Sequence, residues 1–314
     1  MLRWLLVAGG VLTALPVVAT LVLRQIDVTS PRLVAYVAGT PVVLAAGVAS
    51  IVLFALGRSH IGIATAVVLT VILGLTQVPL YVGTAAAPDG AARFTVMTVN
   101  LLYGDADADE IVATVRERGV DVLATQELTN PAVRALRAAG LEDVLPHAEL
   151  HPGGAHGNGL WSRVPLSSAA VPSGFDNPPV AATAQVGGRP ILLACVHPIS
   201  PYPDDTARWD SELDRLRDWL AGVDGPAIVA GDFNATPDHR QFRALLTAGY
   251  ADAAAQVGAG WLPTFPANRR RIPLLITIDH VLVSPGIVAT SLDRLEIAGT
   301  DHAALIATVA VPPS

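Results

Sequence analysis

The run Ala227-Ile228-Val229-Ala230 passes without interruption into Gly231-Asp232-Phe233-Asn234. Four apolar residues followed by an acid and an amide read as a buried strand that presents polar groups at its carboxyl end. The same arrangement recurs on both sides of it. Val96-Met97-Thr98-Val99 ends in Asn100, and Val122-Leu123-Ala124-Thr125-Gln126 ends in Glu127. Ile191-Leu192-Leu193-Ala194-Cys195-Val196 ends in His197, Ile276-Thr277-Ile278 ends in Asp279, and Asp301-His302 introduces a last apolar run. Acid, amide and imidazole groups collected at strand ends are what a metal-assisted hydrolytic site requires.

Short apolar runs predict strands over 93–100, 120–126, 158–163, 180–186, 190–197, 226–231, 276–283 and 302–310, and helical spacing predicts helices over 107–118, 130–139, 205–222 and 238–247. In the third of these helices Trp209, Leu213, Leu216, Trp219 and Leu220 recur at helical intervals between acids and arginines. Many strands with interspersed helices predict an α/β (α+β) four-layer sandwich, two packed sheets flanked by helices.

The residues before this domain are of another kind. Of the 314 residues 52% are hydrophobic and 15% charged, and the excess sits in three charge-free stretches, 4–23, 33–56 and 61–82. Each is long enough to cross a hydrocarbon core of roughly 30 Å as a helix. The chain is therefore expected to carry a membrane domain at 1–83 with three transmembrane helices, a small-residue linker at 84–92, and a catalytic domain at 93–314. Arg3 and Arg58 flank one side of these stretches and Arg24 and Arg32 the other, a weak asymmetry that predicts an extracytoplasmic catalytic domain on a multi-pass protein of the cell membrane.

Cys195 is the only cysteine, which excludes an intrachain disulfide and a thiolate metal cluster. From residue 90 onward 16 arginines face 25 acids, 16 − 25 = −9. Such a surface lowers the expectation of non-specific DNA binding, which relies on cations displacing counterions from phosphates. The one basic cluster, Arg269-Arg270-Arg271, reads as a solvated loop, or through Arg270 as a weak candidate for a phosphate contact.

The order Asn100, Glu127, His197, Gly231-Asp232-Phe233-Asn234, Asp279, Asp301-His302 resembles the endonuclease/exonuclease/phosphatase superfamily, with its deoxyribonuclease-I-like fold. The resemblance spans 93–310, and its most specific pieces are Gly231–Pro237, Gln126-Glu127 and Thr300-Asp301-His302, with Asn158–Leu166 similar to the strand after the family's metal glutamate. It implies a divalent-metal-dependent phosphoesterase, a nuclease, phosphatase or phosphodiesterase, in which water attacks phosphorus in line.

The resemblance makes Glu127 a metal ligand for Mg²⁺ or Mn²⁺, with Asn100 and Asp301 completing or supporting the site. Asp232 would orient or deprotonate the attacking water, and Asn234 and His197 would donate to phosphate oxygens. Asp279 would fix the tautomer of His302. Taken alone, Asp232 and Asn234 also fit as caps of a helix near Pro237, and Asn100 as a turn residue. His280 is expected to face away as a structural residue. His147, His151 and His156 read as loop histidines, and Arg163, Trp161 and Trp261 as packing or rim residues.

Neither a tyrosine matching that of abasic-site endonucleases nor a basic or aromatic insertion for gripping a duplex is found. The sequence thus predicts a membrane-anchored hydrolase of a phosphodiester or phosphomonoester, with a lipid headgroup, nucleotide or nucleic acid as substrate and the bilayer as partner. No protein partner is inferable. The competing readings are an extracytoplasmic endonuclease or exonuclease, and a catalytically inactive binding domain on the same fold.

Overall fold

The computed structural model describes residues 1–83, 86–203, 206–268 and 273–313. Four helices come first: α1 Leu2–Leu23, α2 Pro31–Ala38, α3 Thr40–Leu56 and α4 His60–Leu75. Among the described residues twelve strands and five further α-helices follow. The strands are β1 Ala92–Asn100, β2 Val122–Gln126, β3 His147–His151, β4 Asn158–Ser162, β5 Leu166–Ala170, β6 Val180–Val186, β7 Arg189–Val196, β8 Ala227–Asp232, β9 Ala251–Asp252, β10 Asp279–Val283, β11 Val288–Glu296 and β12 Ala303–Val311. The helices are α5 Ala108–Glu117, α6 Asn130–Ala138, α7 Thr206–Ala221, α8 Arg240–Thr247 and α9 Ala253–Val257.

The strands form two six-stranded mixed sheets, ordered β11-β12-β1-β2-β4-β3 and β5-β6-β7-β8-β10-β9. Within each, one central pair is parallel, β1 with β2 and β7 with β8, and the rest are antiparallel. Side chains alternate across each strand, so both faces of the central strands must be covered. Phe94, Val96, Ile228 and Ala230 face the core between the sheets. Met97 and Val99 face α5 and α6 through Ile111, Val115 and Leu136, while Ala227 and Val229 face α7 and α8 through Trp209, Leu213 and Phe242. The expected four-layer sandwich is therefore present. The helices over the first sheet start at side-chain caps, Asp107 for α5 and Thr129 for α6.

The expectation of three spanning helices is corrected. Only α1, with 22 residues, is long and apolar enough by itself to cross a membrane among the described residues. The stretch 33–56 is broken: α2 and α3 meet at 71°, where Gly39 precedes Thr40-Pro41 and the proline starts a new helix. The stretch 61–82 gives only the 16-residue α4, which stops before a 3₁₀ turn at Val78–Leu80. Freedom from charge marks these stretches, but a span also needs an unbroken helix. Small residues bring the helices together. A Cβ on Gly10 would lie 2.9 Å from the Phe54 ring, and Ser50 Oγ donates to Gly10 O at 2.8 Å.

The helices dock onto the sandwich through buried polar contacts. Arg24 pairs with Asp238, Gln77 Nε2 donates to Asp238 Oδ1 at 2.8 Å, and Thr206 Oγ1 donates to Thr29 O at 2.8 Å. His239 Nε2 donates to Val34 O at 3.0 Å, and Val34 is buried in the cluster that includes Trp209.

Candidate active site

Strand alternation places the site at the mouth of the core between the sheets. Phe94 and Val96 in β1, Ile191, Leu193 and Cys195 in β7, Ile228 and Ala230 in β8, and Val281 and Val283 in β10 all point into that core. Continuing the two-residue period carries Asn100, His197, Asp232 and Asp279 onto the same side. Asn100, Glu127, His197 and Asp232 come from the carboxyl ends of the two parallel pairs. Asp279 opens the antiparallel strand β10, and His302 directly precedes β12. Asp279 lies opposite Asp232 in the β8–β10 ladder, so two buried carboxylates stand side by side.

Asn100 joins the two halves of the site. Its Nδ2 donates to Glu127 Oε1 and to Asp232 Oδ2, both at 3.1 Å, while its Oδ1 accepts from Leu102 N at 2.9 Å. Glu127 Oε2 accepts from Tyr103 N at 2.8 Å. The turn reading of Asn100 and the site reading thus hold together, since it shapes the loop and touches both acids. His302 Nδ1 lies 3.0 Å from Asp279 Oδ2, and its Nε2 lies 3.7 Å from Asp232 Oδ2 and 4.0 Å from Asp301 Oδ1. His197 Nε2 is 3.5 Å from Asp232 Oδ2. Asp232 Oδ1 accepts from Asn234 N at 2.8 Å.

The electrostatics follow from this crowding. Burial opposes the imidazolium of His302, but Asp279, Asp232 and Asp301 outweigh it and push the group up to about 10. Burial raises the pKa of Asp232, with Asp279 acting in the same direction and His302 and His197 against it. Glu127 and Asn234 both sit at the strand exits with left-handed backbone, φ 52° and 50°. That conformation costs a non-glycine residue about 1–3 kcal/mol and persists where surrounding bonds over-determine it.

A second polar layer lies beneath. Thr98 Oγ1 donates to Gln126 Oε1 at 3.2 Å, and Gln126 Nε2 donates to Cys195 Sγ at 3.2 Å. Burial pushes the Cys195 thiol up to about 11, leaving it a protonated, unreactive packing group.

Other expectations divide. The Asn234 amide donates one Nδ2–H to Pro198 O at 2.9 Å, tying the β8 exit to the β7 exit, and the residue also lines the site cavity. His280 faces away from the site as expected, with Nδ1 2.9 Å from Asp252 Oδ2 and Nε2 donating to Ala235 O at 3.0 Å. His147 and His151 are corrected from loop to the two ends of edge strand β3. His156 lies in a 3₁₀ turn against Asn177 and lines the site cavity. Trp161 is fully buried, Arg163 pairs with Asp121, and Trp261 is exposed. Arg270 lies outside the described residues.

Three supporting residues escape a reading of the sequence. Thr264 Oγ1 accepts from Ile278 N and Asp279 N at 3.1 and 3.2 Å. Phe265 places its ring 4.9 Å from the His302 ring. Thr300 Oγ1 donates to Asn100 O at 2.7 Å. Thr300 carries a signal, its place in Thr-Asp-His, whereas nothing local marks Thr264 or Phe265.

The donor set suits a hard divalent cation. Asp232, Asp279 and His302 offer ligand atoms all within 4.8 Å of one another, and Asp279 Oδ1 is buried with no hydrogen-bond partner among the described residues. With Glu127 and Asp301, four carboxylates face two imidazoles here. Buried anionic charge in such excess is costly unless a cation offsets it, and carboxylate oxygens suit Mg²⁺ or Mn²⁺. The site opens into a cavity of about 630 Å³, reached by Glu127, His197, Asp232, Asp301 and His302.

The fold is shared with solved structures at low identity. An endonuclease/exonuclease/phosphatase from Beutenbergia cavernae aligns with TM-score 0.59 and 20% identity over 70% of this chain and 72% of that one. TDP2 from D. rerio, humanized by 14 mutations, aligns at 0.57 and 16% over 69% and 98%. An AP endonuclease from Archaeoglobus fulgidus aligns at 0.56 and 16% over 68% and 98%. No curated protein matches the sequence. The profile of the Endonuclease/Exonuclease/phosphatase family, whose members are metal-dependent phosphoester hydrolases, matches residues 97–302 and so takes in every site residue from Asn100 to His302. The chain belongs to that family.

Proposed function

We propose that this protein is a divalent-metal-dependent phosphoesterase anchored in a membrane, with Asp232, His302, Asp279 and His197 as its working side chains. The observation that carries the reading is the meeting of Asp232 with both histidines, His197 Nε2 at 3.5 Å and His302 Nε2 at 3.7 Å, at the inner end of the cavity. Glu127 would hold the cation, with Asn100 and Asp301 beside it. Glu127 reaches the cavity, whereas Asp279 does not line it and pairs through Oδ2 with His302 Nδ1. A bound Mg²⁺ or Mn²⁺ would neutralise phosphoryl charge and stabilise the leaving oxygen.

Asp232, pinned by Asn234 N and Asn100 Nδ2, is placed to orient the attacking water and accept its proton at Oδ2. Asp279 fixes the orientation of the His302 imidazolium, so that Nε2–H would point at the charge developing on the phosphoryl oxygens. His197 donates from the opposite side. Phe265, packed on His302, keeps water from that face. The Asn234 amide positions the β8 and β7 exits through one N–H, and its second N–H would donate to a phosphate oxygen.

The anchoring reading has its own support. Outward-facing Leu5, Leu12 and Leu15 on α1, Val48 and Val52 on α3, and Val68 and Val71 on α4 are exposed. A helix pack that is apolar on its outer faces needs a lipid phase around it. Residues 1–83 would then be the membrane domain, with α1 crossing it, 84–92 the linker and 93–314 the catalytic domain. The side of the bilayer rests on the arginine asymmetry alone.

A nucleic-acid reading has one specific point in its favour: a similar structure is D. rerio TDP2 with single-strand DNA product, TM-score 0.56. The test is hydrolysis by the solubilised full chain, with Mn²⁺ or Mg²⁺, of lipid phosphoesters, nucleotides and single-stranded DNA in parallel. Metal-dependent turnover of a phosphoester is the expected result. Turnover of DNA alone would replace the membrane-substrate reading with the nuclease one, and inertness across the panel would overturn the catalytic assignment.

A further inference from the structure

The cavity above the site has a wall that phosphoester chemistry does not need. Helix α2 contributes Pro31, Val34, Ala35 and Ala38, and Ile276 and Ile278 contribute from beside β10. Among the described residues no arginine lines this cavity. The two histidines at its inner end suffice for one phosphate group. A strand of nucleic acid brings a phosphate per nucleotide and calls for cations along its path, and none is found among the described residues of these walls. Along the chain α2 follows α1 and precedes α3, and Leu33 on α2, Val22 on α1 and Val42 on α3 are exposed and apolar. The apolar wall therefore belongs to a helix group whose exposed faces are themselves apolar.

We propose that this wall is a hydrocarbon-binding subsite and that the substrate is a lipid phosphoester, its phosphate at Asp232 and His302 and its chain lying along α2. The proposal rests on the phosphoesterase reading for the identity of the polar end, and on the cavity alone for the apolar end. On it, α2 is a specificity-determining element. Its position is fixed by Val34 O, which accepts from Nε2 of His239, a residue of the loop between β8 and α8. The same loop begins at the Asp232 end of β8, so one short segment ties the apolar wall to the catalytic carboxylate. Ala35 is exposed within the cavity wall, so a substitution there alters the wall without entering the packed core.

The test uses the full chain in amphipol with p-nitrophenyl alkyl phosphodiesters from methyl to octyl, below their micellar concentrations. In parallel, calorimetry measures binding of methylphosphonate and octylphosphonate. Each methylene that reaches the wall is expected to raise kcat/KM and affinity by up to about fourfold, the equivalent of about 0.8 kcal/mol per buried methylene. The octyl-to-methyl ratio is expected to collapse by at least tenfold in Ala35→Asp and in Ile276→Asp. Equal binding of the two phosphonates, a ratio preserved in both variants, or preferential binding of a single-stranded oligonucleotide would overturn the proposal. Chain-dependent binding without any hydrolysis would leave the subsite standing and sink the phosphoesterase reading instead.

Discussion

Replacing His239 by phenylalanine tests the seam between α2 and the loop that follows Asp232. The imidazole is buried, its Nε2 donates to Val34 O at 3.0 Å, and its Nδ1 accepts from Thr236 N at 2.9 Å. Phenylalanine keeps a ring beside Trp209 but strands a buried carbonyl and a buried amide. At about 1–3 kcal/mol for each of the two orphaned groups, the loss is about 2–6 kcal/mol at pH 7.5. For a domain of this size that lowers the unfolding midpoint by roughly 5–25 °C.

The pH dependence gives an independent reading. Burial above all, with Arg243 and Arg24 adding to it, lowers His239 from 6.5 to about 4. The folded value lies below the unfolded one, so on acidification the unfolded chain takes up the proton first. The stability supplied by the neutral ring is complete above pH 6.5 and drains away as pH falls toward 4. The gap between those two values corresponds to about 3 kcal/mol. Phenylalanine does not titrate, so the wild-type advantage is expected to shrink by about 3 kcal/mol between pH 6.5 and about pH 4. Thermal unfolding followed by fluorescence from pH 4 to 8 measures it, with hydrogen exchange over residues 31–38 and 236–243 locating the change. A wild-type advantage that stays constant across that window would refute the reasoning.

Two further predictions concern the chemistry. Asp232→Asn and His302→Ala are each expected to lower turnover by at least about two orders of magnitude, the scale of a lost proton acceptor or charge-stabilising donor; full activity in either purified variant would remove that residue from the mechanism. Glu127→Gln is expected to weaken Mn²⁺ binding, measured by calorimetry, by at least about tenfold, and Asp279→Asn to weaken it far less. The reverse order would move the cation from Glu127 to the buried Asp232–Asp279–His302 group.

The sandwich was legible because its central strands are buried on both faces and announce themselves as apolar runs. The strands that escaped notice are β11, β3, β5 and β9, and these are the four sheet edges. An edge strand has one ladder partner and less cover. The nine residues of β11, Val288–Glu296, include the exposed Thr290, Ser291, Asp293, Arg294 and Glu296, which erase the apolar signal. The membrane stretches failed differently. Hydropathy registers missing charge, whereas the break at Gly39 and the early stop of α4 at Leu75 are backbone events that a sum over side chains does not record.

The linear chain determined which polar groups would reach the strand ends, because a two-residue alternation carries Asn100, His197, Asp232 and Asp279 to the inner side whatever the strands pair with. Pairing and docking decided the rest. Only the β8–β10 register sets Asp279 beside Asp232, and only the packed fold lets Asn100 hold Glu127 and Asp232 on one amide group. Only the docking of α2, whose Val34 is 205 positions from His239 in the chain, gives the cavity its apolar wall. Local sequence dictates where a side chain points along its own strand, but contacts between distant segments arise when separate buried surfaces are matched, and no short window of residues contains both partners.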